Sequence, residues 1–349
     1  FGSPVARVGR SRVVDDQERW TQVPTTGSVI RKLRKIIFSS VKRSFVDRIL
    51  SASTTPTPLG ADEYDLPGVI RTVRINRLKA SRAFLSEDRN AKKKHSVFSQ
   101  LQSETKSWGG AAFRRGYVAK AHGGQKRAFK VKLIGEGVND YSGPYREVFT
   151  DALREIITTE GNGEGSLGVL DPTPNNSSGI GEGRDLFMFS LNGHSLNNQT
   201  VELPEELKSI QKVFGFLAMQ RDEGSREVED SLVFLGSDVG TAYRHGISVD
   251  LPLPLHSFWK VLTEEPATAE EELREIDLLA FKTVAEAECS SLLQWQQRMI
   301  NSFAEGLSSV VPIEILPLFT GEELCEAICG NPDVDVDLLR RVVEYEGYQ

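Results

Sequence analysis

Between Phe129 and Phe149 the chain changes its hydrophobic period, and this switch constrains the fold more than any other segment. Phe129, Val131 and Leu133 alternate with Lys130 and Lys132, the period of a half-buried strand. Gly135 and Gly137 break that pattern. Asp140 and Ser142 precede Gly143-Pro144, after which Tyr145, Val148, Phe149, Ala152, Leu153 and Ile156 recur at the three- and four-residue spacing of an amphipathic helix. Pro144 suits a first helical turn. The segment therefore reads as a strand, a glycine-bearing loop and a helix.

Two glycines between a strand and a helix invite comparison with phosphate-binding loops. Neither G-x-G-x-x-G nor G-x-x-x-x-G-K-[ST] is met, and Glu136 and Asp140 would repel a phosphate. The reading retained is a tight connection whose acids satisfy backbone donors or pair with Arg146.

The 349 residues allow one large domain or two to three smaller ones, and 39% apolar with 26% charged residues is ordinary for a folded protein. No apolar run is long enough to span a bilayer. Phe1-Gly-Ser-Pro4 offers neither an initiator Met nor a signal-peptide core, so an internal piece of a longer chain is expected. Cys289, Cys325 and Cys329 form no disulfide framework or C-x-x-C pair, which fits a reducing, cytoplasmic setting. No cofactor and no metal site is expected.

The net charge of −7 conceals an asymmetry. Residues 1–132 carry 28 Lys and Arg against 10 Asp and Glu, whereas residues 133–349 carry 14 against 39. A basic section packed on the acidic one, or on an acidic partner, is preferred to a nucleic-acid arm, since no zinc-finger or RNP-like pattern accompanies it. Residues 1–67 read as a basic extension. Within it, Val29 to Leu50 is expected to form one amphipathic helix (Ile30, Leu33, Ile36, Ile37, Val41, Phe45, Val46, Ile49, Leu50). It could lie on an anionic membrane, but packing on the rest of a larger polypeptide explains it as well and is preferred. Ser51 to Pro67 reads as a linker.

Further along, Ser96 to Trp108 reads as a short helix. Thr159 to Gly168 and Pro172 to Gly183 read as loops, and Leu207 to Met219 has helical spacing. Gly236, Gly240 and Ala242 offer small surfaces to an approaching helix, Gly246 is placed as a C-cap, and Phe258 and Trp259 are core anchors. His245 and His256 lack a nucleophile at a recognisable spacing, so structural roles are expected. Ile300 to Val311 reads as a helix stopped by Pro312. Thr320 with Glu323 forms a capping box for a helix closed by Gly330. Cys325 and Cys329 on that helix are expected to be buried core thiols.

The string Lys132-Leu-Ile-Gly-Glu-Gly-Val-Asn-Asp-Tyr-Ser-Gly-Pro-Tyr-Arg-Glu-Val-Phe149 resembles the start of a HECT domain, the ubiquitin-ligase module, in the form found in large HERC-type members. The resemblance extends to the strand-like Val73–Ala80, to Leu170–Asn176 with the strand Asp185–Phe189, and to Phe234–Leu262. It continues through the helix Leu273–Phe281, Phe303–Pro312, Leu318–Val336 and Glu344–Tyr348, the last with one glycine where the family usually has two. It implies a predominantly helical α+β fold with short strands, the HECT N-lobe, over residues 68–349, with an insertion at about 191–228. Gly135, Glu136, Gly137, Asp140, Gly143, Arg146, Glu147, Arg244, Gly246 and Trp259 would be signature residues with structural roles.

In the family, ubiquitin passes from a conjugating enzyme to a cysteine of a C-terminal lobe and then to a substrate lysine. That cysteine would lie beyond Gln349, so no catalytic residue is assigned to this chain. The small subdomain that docks the conjugating enzyme is missing near Cys289, where the sequence runs almost directly into Leu292–Met299. The resemblance implies a non-catalytic N-lobe scaffold of a HECT-type ubiquitin-protein ligase. Its expected partners are a ubiquitin-conjugating enzyme, ubiquitin and a protein substrate. The alternative is a catalytically inactive HECT-derived interaction module.

Overall fold

In the computed structural model, residues 26–57, 70–118, 124–137, 143–161, 163–190, 223–283, 286–331 and 336–343 are described. Two helices in the basic segment, α1 (Thr26–Leu33) and α2 (Ser39–Ala52), precede the strand β1 (Thr72–Ile75). Four helices follow, α3 (Arg77–Phe84), α4 (Arg89–His95), α5 (Val97–Thr105) and α6 (Gly110–Phe113). The strand β2 (Lys130–Leu133) then returns beside β1 in parallel, pairing Val73 with Val131 and Ile75 with Leu133. Beyond it lies α7 (Gly143–Ile156), whose buried residues include Tyr145, Val148, Phe149, Ala152, Leu153 and Ile156. The strand, turn and helix read from the change of period are therefore present. Gly135 and Gly137 in the turn have φ of 86° and 63°, values an L-side chain rarely tolerates.

An antiparallel pair, β3 (Leu170–Pro172) and β4 (Phe187–Phe189), flanks the short helix α8 (Pro174–Ser178). The long helix α9 (Glu223–Arg244) is followed by a π-helical turn at Leu255–Trp259 and α10 (Lys260–Leu262). Then come α11 (Ala269–Ile276), α12 (Leu278–Thr283) and the 25-residue α13 (Glu286–Val310). A 3-10 segment at Ile313–Leu318 leads to α14 (Gly321–Cys329) and α15 (Val336–Val342). Helices dominate and the strands are short, so the fold is a predominantly helical α+β arrangement.

One apolar core joins α2, both β1 and β2, α5, α7, α9, α13 and α14 through Val46, Val73, Val131, Phe149, Leu235, Phe303 and Leu324. Its axis is the α9–α13 pair. A Cβ on Gly306 would lie 1.7 Å from the Val233 carbonyl oxygen, and one on Gly236 would lie 2.0 Å from that of Phe303. The two backbones thus touch reciprocally, and the Ser237 hydroxyl donates to the Gly306 carbonyl across the contact (3.1 Å).

Several elements depart from the sequence reading. The expected single helix over Val29–Leu50 is two, interrupted by a turn at residues 34–37 where buried Arg34 donates to the Thr263 carbonyl (2.6 Å), with Phe38 (φ −59°, ψ 136°) preceding α2. The strand expected across Val73–Ala80 ends at Ile75. Asn76 caps α3 there by accepting from the Lys79 N–H. Within the Pro172–Gly183 loop, Thr173 caps the one-turn α8. The helix expected over Leu273–Phe281 is divided at the extended residue Asp277. Residues 223–228, assigned to an insertion, form the start of α9, and α13 begins well before Ile300. The helix expected at Leu207–Met219 and the Glu344–Tyr348 segment lie outside the described residues.

The reciprocal glycine contact sets the first expectation. Gly306→Ala should lower the unfolding free energy by about 3 kcal/mol, since the added methyl meets backbone that cannot rotate away. Gly109→Ala, with nothing within 4 Å of the new methyl, should cost under about 0.5 kcal/mol. Urea denaturation of the two variants checks this.

Candidate functional site

The residues singled out from the sequence gather into two polar clusters on either side of α7. On the first, Glu136 in the β2–α7 turn pairs with Arg77 at the start of α3, and Arg77 also reaches Glu147 at 2.5 Å and Asp151 at 3.6 Å. The hydrogen bonds from Arg77 hold the Glu136 carboxyl below the usual carboxylate range. The pairing of the turn's acids with Arg146 is therefore not observed for Glu136. Its partner comes from 59 residues upstream, and sequence spacing gives no sign of it. Asp140 lies outside the described residues.

On the second cluster, Arg146 Nε donates to Gln125 Oε1 at 2.6 Å, and the Gln125 amide nitrogen donates to the carbonyl of His245 at 3.0 Å. The His245 ring is held between the Tyr145 hydroxyl (2.9 Å from Nδ1) and the Arg115 carbonyl (2.7 Å from Nε2). Since a carbonyl only accepts, Nε2 carries the proton and Nδ1 accepts from Tyr145. Burial pushes His245 down to about 4, so the ring is neutral at pH 7. It is a structural crosslink between α7, the end of α9 and the chain leading to β2.

Arg244 forms the adjoining clasp. It donates to the Leu50 carbonyl, to Thr54 Oγ1 (3.0 Å), to Ser53 Oγ (2.6 Å) and to the Val310 carbonyl (3.0 Å), tying α2 and α13 to the end of α9. Burial lowers its pKa to about 10. Gly246 follows with φ of 68° and lets the chain leave the helix. Beside these residues opens a cleft of about 430 Å³, lined in part by Asp47, Gln125, Lys126, Arg146, Arg244 and His245. Trp259 is fully buried beyond it, with its indole N–H donating to the Leu253 carbonyl (3.0 Å). Gly143 opens α7 with Pro144 behind it.

His256, on the π-helical turn, has its Nδ1 3.3 Å from Glu275, and the Glu275 carboxylate accepts the backbone N–H groups of Leu255 and His256. Cys325 and Cys329 are half-buried, not the fully buried thiols expected, because their face of α14 covers only the edge of the core. The hydrogen bond between the two thiols raises Cys329 and lowers Cys325. Among the described residues, no group of three His, Cys, Asp or Glu side chains is placed to hold a metal.

The basic section meets the acidic one through charge. Lys42, with only 1% of its side chain exposed, contacts Glu323 at 2.5 Å, and Arg43 reaches Glu326 at 3.0 Å. Lys35 pairs with Glu265 at 3.2 Å and Arg31 with Glu264 at 3.0 Å. Glu323 also accepts from the Thr320 N–H, completing the capping box read from the sequence. Charge asymmetry pointed to this contact, but not to the inward-facing cations.

The described clusters tie helices to one another, and comparison with known proteins gives the chain a family resemblance. A family model described as "HECT-domain (ubiquitin-transferase)" matches residues 283–349. The E3 ubiquitin-protein ligase HERC2 of Homo sapiens is 22% identical over 342 residues, covering 91% of this chain and 6% of that protein. The Mus musculus HERC2 is 24% identical over 247 residues, covering 64% of this chain and 5% of its own length. The chain is a relative of the HECT-type ubiquitin ligases and resembles their HERC members. It spans only about a twentieth of the curated relatives it matches.

A buried acid also escaped the sequence reading. Asp238 on α9 is 2% exposed, and its Oδ2 has no hydrogen-bond partner among the described residues. Burial raises it to about 8. A carboxyl raised in the fold favours folding most below its unfolded pKa and loses that contribution as pH rises toward 8. Asp238→Asn should therefore gain on wild type by about 1 kcal/mol per pH unit between pH 5 and 8. Paired denaturation curves across that range test the slope, and parallel curves would contradict it.

Proposed function

We propose that this chain is the N-lobe scaffold of a HECT-type ubiquitin-protein ligase. It holds a conjugating enzyme and a thiol-bearing C-terminal lobe close enough for ubiquitin to pass between them. The supporting observation is that Gly135–Phe149 and Phe234–Leu262, which resemble the family, share one core with α13, inside the segment that the family model matches. His245, Arg244 and the glycine contact lock those segments rigidly. Rigidity is what a positioning role requires, because transfer between two thiols is accelerated by proximity and orientation.

On this reading the transfer cysteine and the subdomain that docks the conjugating enzyme belong to parts of the ligase beyond the segments described, which the scaffold carries. Ubiquitin, a conjugating enzyme and a substrate protein are the partners, and the cytoplasm, where the thiols stay reduced, is the setting. The signature residues Gly135, Glu136, Gly137, Asp140, Gly143, Arg146, Glu147, Arg244, Gly246 and Trp259 serve to hold the lobe's shape.

Given ubiquitin with activating and conjugating enzymes, the chain should form no thiol-reducible ubiquitin adduct. Non-reducing electrophoresis reads the outcome. An adduct lost on substitution of Cys289, Cys325 or Cys329 would show that the chain carries its own transfer thiol and would overturn the scaffold role.

A further inference from the structure

The two N-terminal helices carry apolar side chains on two faces: α2 sends Val46 and Leu50 into the core, and further apolar residues stay outside. Their inner face buries cations, Arg34 at 5% and Lys42 at 2% exposure, against the Thr263 carbonyl and Glu323. Their outer face presents Val29, Leu33, Ile36, Phe38, Val41 and Phe45, with exposure reaching 72% at Ile36 and 79% at Phe38. Side chains so exposed protrude at the turn between the helices. Together they form an exposed apolar ridge beside a shallow polar depression lined by Ser40, Arg43, Ser44, Asp47, Arg48 and Ser51. Lys32 and Arg48 stand on the same helices, both exposed, with no acidic partner among the described residues. Asp47 is the one acid between residues 26 and 52, against seven Lys and Arg.

We propose that this ridge docks on an anionic lipid surface. Protruding apolar and aromatic side chains flanked by Lys and Arg match the boundary between headgroups and acyl chains, which deforms around a convex element. Free cations at Lys32 and Arg48 supply the charge complementarity. Glu264, Glu265, Glu323 and Glu326 are matched by Arg31, Lys35, Lys42 and Arg43, which leaves exposed Asp47 as the acid on the helices themselves. The same ion pairs fix the apolar face outward. No described helix is long and apolar enough to cross a membrane, so the contact is peripheral.

Co-sedimentation of the full chain with phosphatidylcholine vesicles, with and without about 30% phosphatidylserine, tests the proposal. Binding should need the anionic lipid and weaken with salt. Phe38→Asp with Val41→Asp should lower the partition coefficient by about tenfold or more, and Lys32→Glu with Arg48→Glu by a similar factor. These exposed positions should leave the thermal midpoint unchanged, which separates lost docking from lost folding. Absence of binding to the anionic vesicles overturns the proposal. So does equal binding by the Phe38/Val41 variant, which would assign the affinity to other basic residues. Concentration-dependent self-association abolished by Phe38→Asp, without vesicle binding, would make the ridge a contact for a second copy or another protein and would equally overturn it.

Discussion

The contact on which the fold depends is the backbone-to-backbone crossing of α9 and α13. Gly236 and Gly306 each face a carbonyl of the other helix, at distances a methyl group could not occupy. Once the axes are that close, the flanking positions Leu235, Val239, Phe303, Leu307 and Val310 interdigitate with almost no exposure. The other helices then have a fixed surface on which to pack. The segment resembling the family signature attaches to that surface through Tyr145 and His245. The order of dependence therefore runs from the helix pair to the clusters around α7.

Much of this was legible in the chain because local period and local geometry coincide. The alternation at Phe129–Leu133, the three-and-four spacing of Tyr145–Ile156 and the Thr320–Glu323 box each act within one element, and each is present. Small residues at Gly236 and Gly240 correctly announced a close neighbour. Which helix approached was not readable, since Gly306 lies 70 residues away and looks like any helix-interior glycine.

The illegible parts are those decided by distant partners. What the periodicity presents as one helix is interrupted where Arg34 donates to the distant Thr263 carbonyl. Glu136 pairs with Arg77 and not with the nearby Arg146, which serves Gln125 instead. Asp238 and Lys42 offer no sign of burial in their neighbourhoods. Charge balance over long stretches did predict that the basic and acidic sections meet, but it could not say that Lys42 would be buried while Phe38 and Val41 stay outside.

Arg244 carries a consequence beyond its hydrogen bonds. It is the last residue of α9, and its guanidinium caps carbonyls at the ends of α2 and α13, so three helices terminate around one cation. Each helix brings the negative pole of its macrodipole to that point, and a second guanidinium, Arg114, donates to the Ser309 carbonyl of α13 (2.6 Å). The fixed positive charge offsets the mutual repulsion of three converging dipoles. A lysine there would keep the charge but lose the fork that reaches the ends of both α2 and α13 at once.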